Sequence, residues 1–326
     1  MAVRRRLSEA TALVPDLHVG VPNLSKTLHI HEVPAWMRDN EYIVSGYRRY
    51  AQNHWRGCFH SVFGCDSLLP IPILFSVGLP YCTDLHNETV NIHSHLWGAA
   101  LFLYFLITFH PNFLEPYPKT TWIDLFVFVT FLSSAVFCLG ASAFFHTSTC
   151  HSKEVASRCV ALDYSGIVVL ILGSFYPSIY YGLFCSPYAQ VTYISLLTAA
   201  GLGAAYVVLQ PEYARATHRG LRTSVFIGLG LTGVIPVCHA LVTHGFLKLF
   251  SDMGLNWLLF SGGLYIAGGI LYANRIPERF SPGMFDYFFS SHQIFHVCVV
   301  IAALAHFASI STALDFWHSE QMSCQL

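Results

Sequence analysis

Seven stretches of this 326-residue chain stay apolar for about 20 residues each, and nothing else in the sequence constrains the fold as tightly. A helix needs that length to cross a bilayer, and in lipid it satisfies its own backbone N–H and C=O groups. The runs fall at 92–110, 122–145, 160–184, 189–209, 222–243, 255–273 and 287–313. Turn and charge signals separate them, among them His110-Pro111-Asn112, Ser186-Pro187 and the segment from Arg275 to Pro282. Residues 69–80 form a shorter, proline-rich apolar stretch that suits the membrane interface rather than a span. Only 11% of residues are charged, where a soluble domain carries about a quarter; mean hydropathy is +0.50. The expected fold class is an all-α membrane protein, a seven-transmembrane helix bundle. Net charge is −1 and no basic tract exceeds Arg4-Arg5-Arg6, so no nucleic-acid partner is expected. Residues 1–60 lack the continuous apolar segment of a signal peptide, so the first span is expected to insert by itself.

Basic residues set the orientation. Eight precede the first span, from Arg4 to Arg56, and the loops on that same side add Lys153, Arg158, Arg215, Arg219, Arg222, Arg275 and Arg279. The other side holds only Lys119 and Lys248, a ratio of fifteen to two. The N-terminus is therefore expected in the cytosol and the C-terminus outside. Three regions follow: a cytosolic segment 1–91 with an interfacial helix, a seven-span domain 92–313, and a short outer tail 314–326. Residues 1–44 read as flexible apart from Thr27 to Trp36, which suits docking near the membrane. The sequons at Asn23 and Asn87 fall on the cytosolic side and are expected to stay unglycosylated. The ten cysteines contain no CxxC pair, and Cys138, Cys238 and Cys298 lie within spans, so most read as small buried hydrophobes rather than a disulfide framework.

This topology gathers ionisable groups at one depth. His146 closes the second span at its cytosolic end, Asp163 opens the third from the same side, and His292 and His296 stand in the first turns of the seventh. Such groups are expensive in a membrane and mark sites. His292 and His296 are spaced i, i+4 on one helical face. Two imidazoles so placed, with His146 as a third, leave a fourth position of a tetrahedral metal ion open. Ser142 sits one turn before His146. Each residue also has an ordinary use: a histidine can bond a nearby carbonyl, Ser142 can back-bond to its own helix, and Asp163 can cap the third helix. Their shared depth favours the metal. Cys150 and His151 are competing ligands in the following loop, and His93 and His95 stand two apart at the start of span one, off a common helix face.

Four motifs carry a resemblance to a known family: Asn87-Glu88-Thr89-Val90-Asn91-Ile92-His93-Ser94-His95, Ser142 to Thr147, Leu162-Asp163-Tyr164-Ser165-Gly166, and His292-Gln293-Ile294-Phe295-His296-Val297. With Arg275-Ile276-Pro277-Glu278-Arg279-Phe280 they resemble the progestin and adipoQ receptor family, within the haemolysin III group, from about Ser45 to Phe307. The likeness is greatest to adiponectin receptors and fungal zinc-homeostasis members. The resemblance implies a cytosolic N-terminus, Zn2+ held by His146, His292 and His296, a water on that ion contacted by Asp163, and Ser142 nearby. His93 departs from the family's bulky aromatic.

Three imidazoles leave zinc its full charge, so a bound water can ionise near neutral pH. Asp163 would either accept its proton or orient that water as an outer acceptor, and a developing oxyanion would either bind the metal directly or accept from Ser142. Similarity to the membrane hydrolases that include alkaline ceramidases implies a lipid amide as substrate, cleaved to a sphingoid base and a fatty acid. The alternative is a non-catalytic receptor whose zinc is structural, with an extracellular protein or steroid-like ligand. A zinc sensor and a transporter fit the pattern less well, since the ionisable groups cluster at one face and no polar relay crosses the bilayer. The expected partners are thus ceramide-like membrane lipids, such an outer ligand and a second copy of the chain, in the plasma membrane or an endomembrane.

Overall fold

The computed structural model describes residues 27–51, 54–63, 85–213, 216–319 and 324. Among them there is no strand, only an isolated bridge between Leu28 and Tyr47. A short helix α1 (Trp55–Phe63) precedes the spans. Seven segments are long and apolar enough to cross a membrane. They are built from α2 (Thr89–Phe109), α3 (Trp122–Ser148), α4 (Lys153–Gly182), α5 (Pro187–Val208), the broken pair α6 (Arg219–Leu231) and α7 (Val234–His244), α9 (Leu255–Asn274) and α10 (Ser291–Ser319), with the one-and-a-half-turn α8 (Phe246–Ser251) before α9. The protein is an integral, multi-pass membrane protein.

Burial sorts the spans. Half or more of the apolar windows of α3 and α10 is buried, against 17–28% for the other five spans, so these two helices form the centre. Their core is aromatic: Phe102, Phe109, Phe128 and Phe131 are fully buried, and Phe307 crosses Phe128 edge-on at 6.2 Å. Helices α3 and α4 approach closely because glycine permits it. A Cβ on Gly166 would stand 2.9 Å from the Cys138 Cα, and one on Gly173 would stand 2.2 Å from the Ser134 hydroxyl. Lipid supplies little hydrophobic drive between spans, so this kind of small-residue contact sets the helix spacing.

Several boundaries differ from the sequence reading. The third span begins at Lys153, seven residues before 160, because Ser152 caps it by accepting from the Val155 N–H. Asp163 therefore lies three turns inside α4 and does not cap it. The fifth span breaks between Leu231 and Val234, just ahead of Pro236. A proline ring clashes with the carbonyl four residues back, which here is Thr232, and the break relieves that clash. The seventh span starts at Ser291 and runs to Ser319. The apolar stretch 69–80, residues 1–26 and the Asn23 sequon lie outside the described residues.

Residues 37–44, expected to be flexible, are fixed against the bundle. Asp39 pairs with Arg275 at 2.8 Å, Asn40 donates to Glu278 at 2.9 Å, and Asp286 accepts from the backbone of Val44 and Ser45. These contacts bridge more than 200 residues of sequence. The cysteine reading holds for Cys138 and Cys159, which are buried, and fails for Cys185 and Cys324. Those two form a disulfide, 139 residues apart in sequence, that ties the chain beyond α10 to the end of α4.

Candidate metal centre

Three helix ends converge at one face of the bundle. His146 occupies the last turn of α3, and His292 and His296 the first two turns of α10. Their ring centroids form a nearly equilateral triangle of 4.8–4.9 Å sides. Each offers a ring nitrogen within 4.8 Å of the other two, and among the described residues no further His, Cys, Asp or Glu joins that set. Three imidazoles around a tetrahedral zinc at about 2.0–2.1 Å from each nitrogen would put their centroids roughly 5 Å apart. The triangle meets that requirement.

The orientation of the rings is fixed from behind. Glu88, the residue before α2, takes His146 Nδ1 at 2.7 Å and is also held by the Asn91 amide at 2.6 Å. His296 Nδ1 bonds the Asn91 carbonyl at 3.1 Å. Both Nδ1 atoms being engaged, the Nε2 atoms are left to face the triangle. His146 Nε2 is buried and has no hydrogen-bond partner. An orphaned, buried acceptor is costly unless something binds it, and a divalent cation at the centre of the triangle would bind it. A carboxylate or carbonyl behind a ligating imidazole is the ordinary support of a metal site. Burial alone would lift the Glu88 carboxyl, but the His146 ring and the Asn91 amide prevail and hold it well below the usual carboxylate range.

The helix ends that carry the three histidines are closed by other parts of the chain. Helix ends leave backbone groups without intrahelical partners. At α3, the buried Arg48 donates to the His146 carbonyl, to the Thr147 carbonyl at 3.0 Å and to the Thr149 hydroxyl at 2.7 Å. At α10, the fully buried Glu278 accepts from the Ser291 N–H at 2.7 Å and from its hydroxyl. Gln293 reaches the carbonyls of Asn87 and Tyr287 at 3.2 and 3.0 Å, joining α10 to the start of α2.

Ser142 on α3 and Asp163 on α4 stand on two helices packed closely against each other. Both are buried, and both line the cavity that the three histidines line. This cavity, about 1080 Å³, runs from the histidine triangle along α4 toward Tyr181 and Met253 at the opposite end, through mostly apolar walls. The structure thus brings together all five residues singled out from sequence. It leaves Cys150 and His151 outside the triangle. His95 is buried and stacks on His296 at 3.7 Å without joining the ligating set, while His93 is partly exposed. Two further histidines make ordinary packing contacts: His239 bonds the Tyr193 hydroxyl at 3.2 Å, and His306 is buried against Phe131.

Glu88, Asn91, Arg48, Glu278 and Gln293 were not identified from sequence as parts of the site. One signal for Glu88 was present: it is the single acidic residue in a motif that adjoins a span and contains no Lys or Arg.

The haemolysin-III-related family profile matches residues 83–307. The chain is 39% identical over 286 residues to a progestin and adipoQ receptor-like protein 1 of Caenorhabditis elegans, covering 88% of this chain and 60% of that protein. It is 37% identical to the adiponectin receptor protein of Drosophila melanogaster over 88% of this chain and 59% of the fly protein. To the ADIPOR-like receptor IZH2 of Saccharomyces cerevisiae it is 34% identical, covering 88% of this chain and 84% of the yeast protein. The chain thus spans about three fifths of the length of its nematode and fly relatives. It belongs to the haemolysin-III-related family, among the adiponectin-receptor-like, seven-helix membrane proteins.

Proposed function

We propose that the protein is a zinc-dependent membrane hydrolase of long-chain lipid amides, with His146, His292 and His296 as metal ligands and Asp163 as the proton acceptor. The observation that carries this reading is the meeting of a three-imidazole triangle with a deep apolar cavity. A structural zinc is usually closed by four protein ligands, whereas catalytic zinc keeps one position open. Only three ligands meet here among the described residues. The cavity walls suit acyl chains, and its polar end carries the triangle, Asp163 and Ser142.

Zinc in such a site would polarise an amide carbonyl and acidify water. The chain's own residues do the rest. Glu88 and the Asn91 carbonyl hold two rings in the tautomer that presents Nε2. Asp163 takes a proton from the attacking water and returns it to the departing amine nitrogen. Ser142, lining the same cavity, is the hydroxyl that would donate to Asp163 or to the developing oxyanion. The apolar walls of α4 and α9 exclude bulk water, which strengthens each of these interactions.

The charge bias supports placing this site at the cytosolic leaflet. The Cys185–Cys324 disulfide supports it too, since it ties together the opposite end of the bundle, and disulfides persist in oxidising compartments. The receptor names of the relatives favour a second reading, in which the zinc clamps α3 to α10 and an outer ligand shifts the bundle.

The test is release of fatty acid from a long-chain N-acyl sphingoid base by the purified protein in lipid nanodiscs. Asp163→Asn is expected to keep zinc and lose turnover. Zinc-loaded wild type with no turnover of any long-chain amide, together with unaltered signalling by Asp163→Asn, would leave the structural-zinc receptor instead.

A further inference from the structure

A second pair of reactive side chains lies beside the metal centre and takes no part in it. Cys58, in α1, and Cys150, between α3 and α4, bring their sulfurs to 3.2 Å. That is about 1.2 Å longer than a disulfide bond. Both residues are buried, at 0% and 1% exposure. Their approach is enforced by a backbone hydrogen bond and by two contacts of one ring. The Ala51 N–H donates to the Cys150 carbonyl at 2.8 Å. The Trp55 ring lies tilted against His151 at 4.4 Å and stacks on Phe144 at 5.6 Å. Helix α1 is thus docked on the end of α3 and on the loop behind it, with its cysteine aimed at that loop's cysteine.

We infer that Cys58 and Cys150 are a redox-modification site, a dithiol that peroxide converts to a disulfide linking α1 to the α3–α4 connection. The chemistry balances with hydrogen peroxide as the oxidant. The Cys150 sulfur attacks one peroxide oxygen, the O–O bond breaks, and the departing hydroxide leaves as water with the thiol's proton. The sulfenic acid so formed is then attacked by Cys58; the S–O bond breaks, the S–S bond forms, and a second water leaves. Two thiols are oxidised by two electrons and one peroxide is reduced to two waters. Cys150 is the better first nucleophile. The facing Cys58 sulfur and the Arg48 guanidinium together lower the Cys150 thiol below its ordinary value, although burial opposes ionisation. The resolving thiol already stands in contact, which favours the disulfide over further oxidation.

This pair and the Cys185–Cys324 pair lie at opposite ends of the bundle. The charge bias puts Cys58 and Cys150 on the reducing side, where disulfides are transient and redox-sensing, and the formed disulfide on the other. The consequence is local. The bond would staple α1 to a residue four positions beyond His146, on the same segment whose carbonyls Arg48 holds.

The experiment uses the full chain in membranes, treated with hydrogen peroxide at a dose that fully oxidises free dithiothreitol. Remaining thiols are alkylated and peptides are mapped by mass spectrometry without reduction. The expected result is a Cys58–Cys150 cross-linked peptide, two hydrogens lighter than its parts, that disappears on reduction and is absent from Cys58→Ser protein. In that variant Cys150 should be trapped by dimedone several-fold more than in the wild type. Recovery of both cysteines as alkylated thiols, or as sulfinic acids with no cross-link, would overturn the inference.

Discussion

Glu88→Gln isolates the support of the metal centre from its ligands. The wild-type carboxylate takes His146 Nδ1 at 2.7 Å from a position three-quarters buried, and the Asn91 amide donates to the same oxygen. Glutamine preserves the length and one acceptor oxygen, so the ring can keep its tautomer. It removes the negative charge that raises the basicity of the opposite nitrogen. Alanine removes the acceptor as well and leaves a buried Nδ1–H with no partner, a loss of about 1–3 kcal/mol. Changes behind a ligating histidine cost about 10–100-fold in metal affinity, which is about 1.4–2.7 kcal/mol. The expected order is therefore a fall of about 10-fold for Glu88→Gln and of about 100-fold for Glu88→Ala.

The measurement is zinc affinity of the purified protein by competition with a chromogenic chelator, with thermal unfolding followed in the zinc-saturated state. If both variants bind zinc as the wild type does, Glu88 does not orient a ligand, and the 2.7 Å contact is only an N-terminal helix interaction. If both lose zinc only in proportion to a loss of fold, the support is structural rather than electronic.

His292→Ala should reduce zinc content well below one per chain while the seven-helix fold persists by circular dichroism; full zinc occupancy would remove His292 from the ligand set. Arg48→Ala strips the carbonyls at the end of α3 of a buried charged donor, and should cost about 2–3 kcal/mol in stability, read as a lowered unfolding midpoint. Gly166→Ala drives a Cβ to 2.9 Å from the Cys138 backbone; the strain should cost about 1–3 kcal/mol and part Asp163 from Ser142, lowering turnover more than zinc content. Asn87→Gln should leave gel mobility unchanged with or without glycosidase, and a glycosidase-sensitive shift lost in the variant would reverse the orientation drawn from the basic residues.

The three histidines were legible as a group because their type and spacing carry the information. His292 and His296 share a face by helical arithmetic, and His146 joins them once alternating spans fix which ends meet. The supports were not legible, because their roles are contacts rather than patterns. Glu88 meets His146 across 58 residues and the Asn91 carbonyl meets His296 across 205. The second of these is a backbone group, which no side-chain pattern advertises. The same limit hid the disulfide, whose partners become neighbours only when α4 and α10 end at one face. Helix boundaries were missed where polar residues continue a helix past its apolar run. Lys153 to Cys159 belong to α4 through the Ser152 cap, not through hydropathy.

The arrangement has a physical logic that joins fold to site. A helix ending near the edge of a membrane exposes carbonyls or N–H groups where water is scarce, and these must be satisfied by protein. In this chain the groups that do so also bound the histidine triangle. Arg48 closes α3 at the carbonyl of His146, and Glu278 closes α10 one residue before His292. The segment 37–48 is held to the bundle by Asp39, Asn40 and the backbone at Val44 and Ser45, and through Asn40 it reaches Glu278. Closing the helix ends and positioning the imidazoles are therefore one network. A substitution in that strap, distant from the triangle in sequence, acts on the ligands through the ends of the helices that carry them.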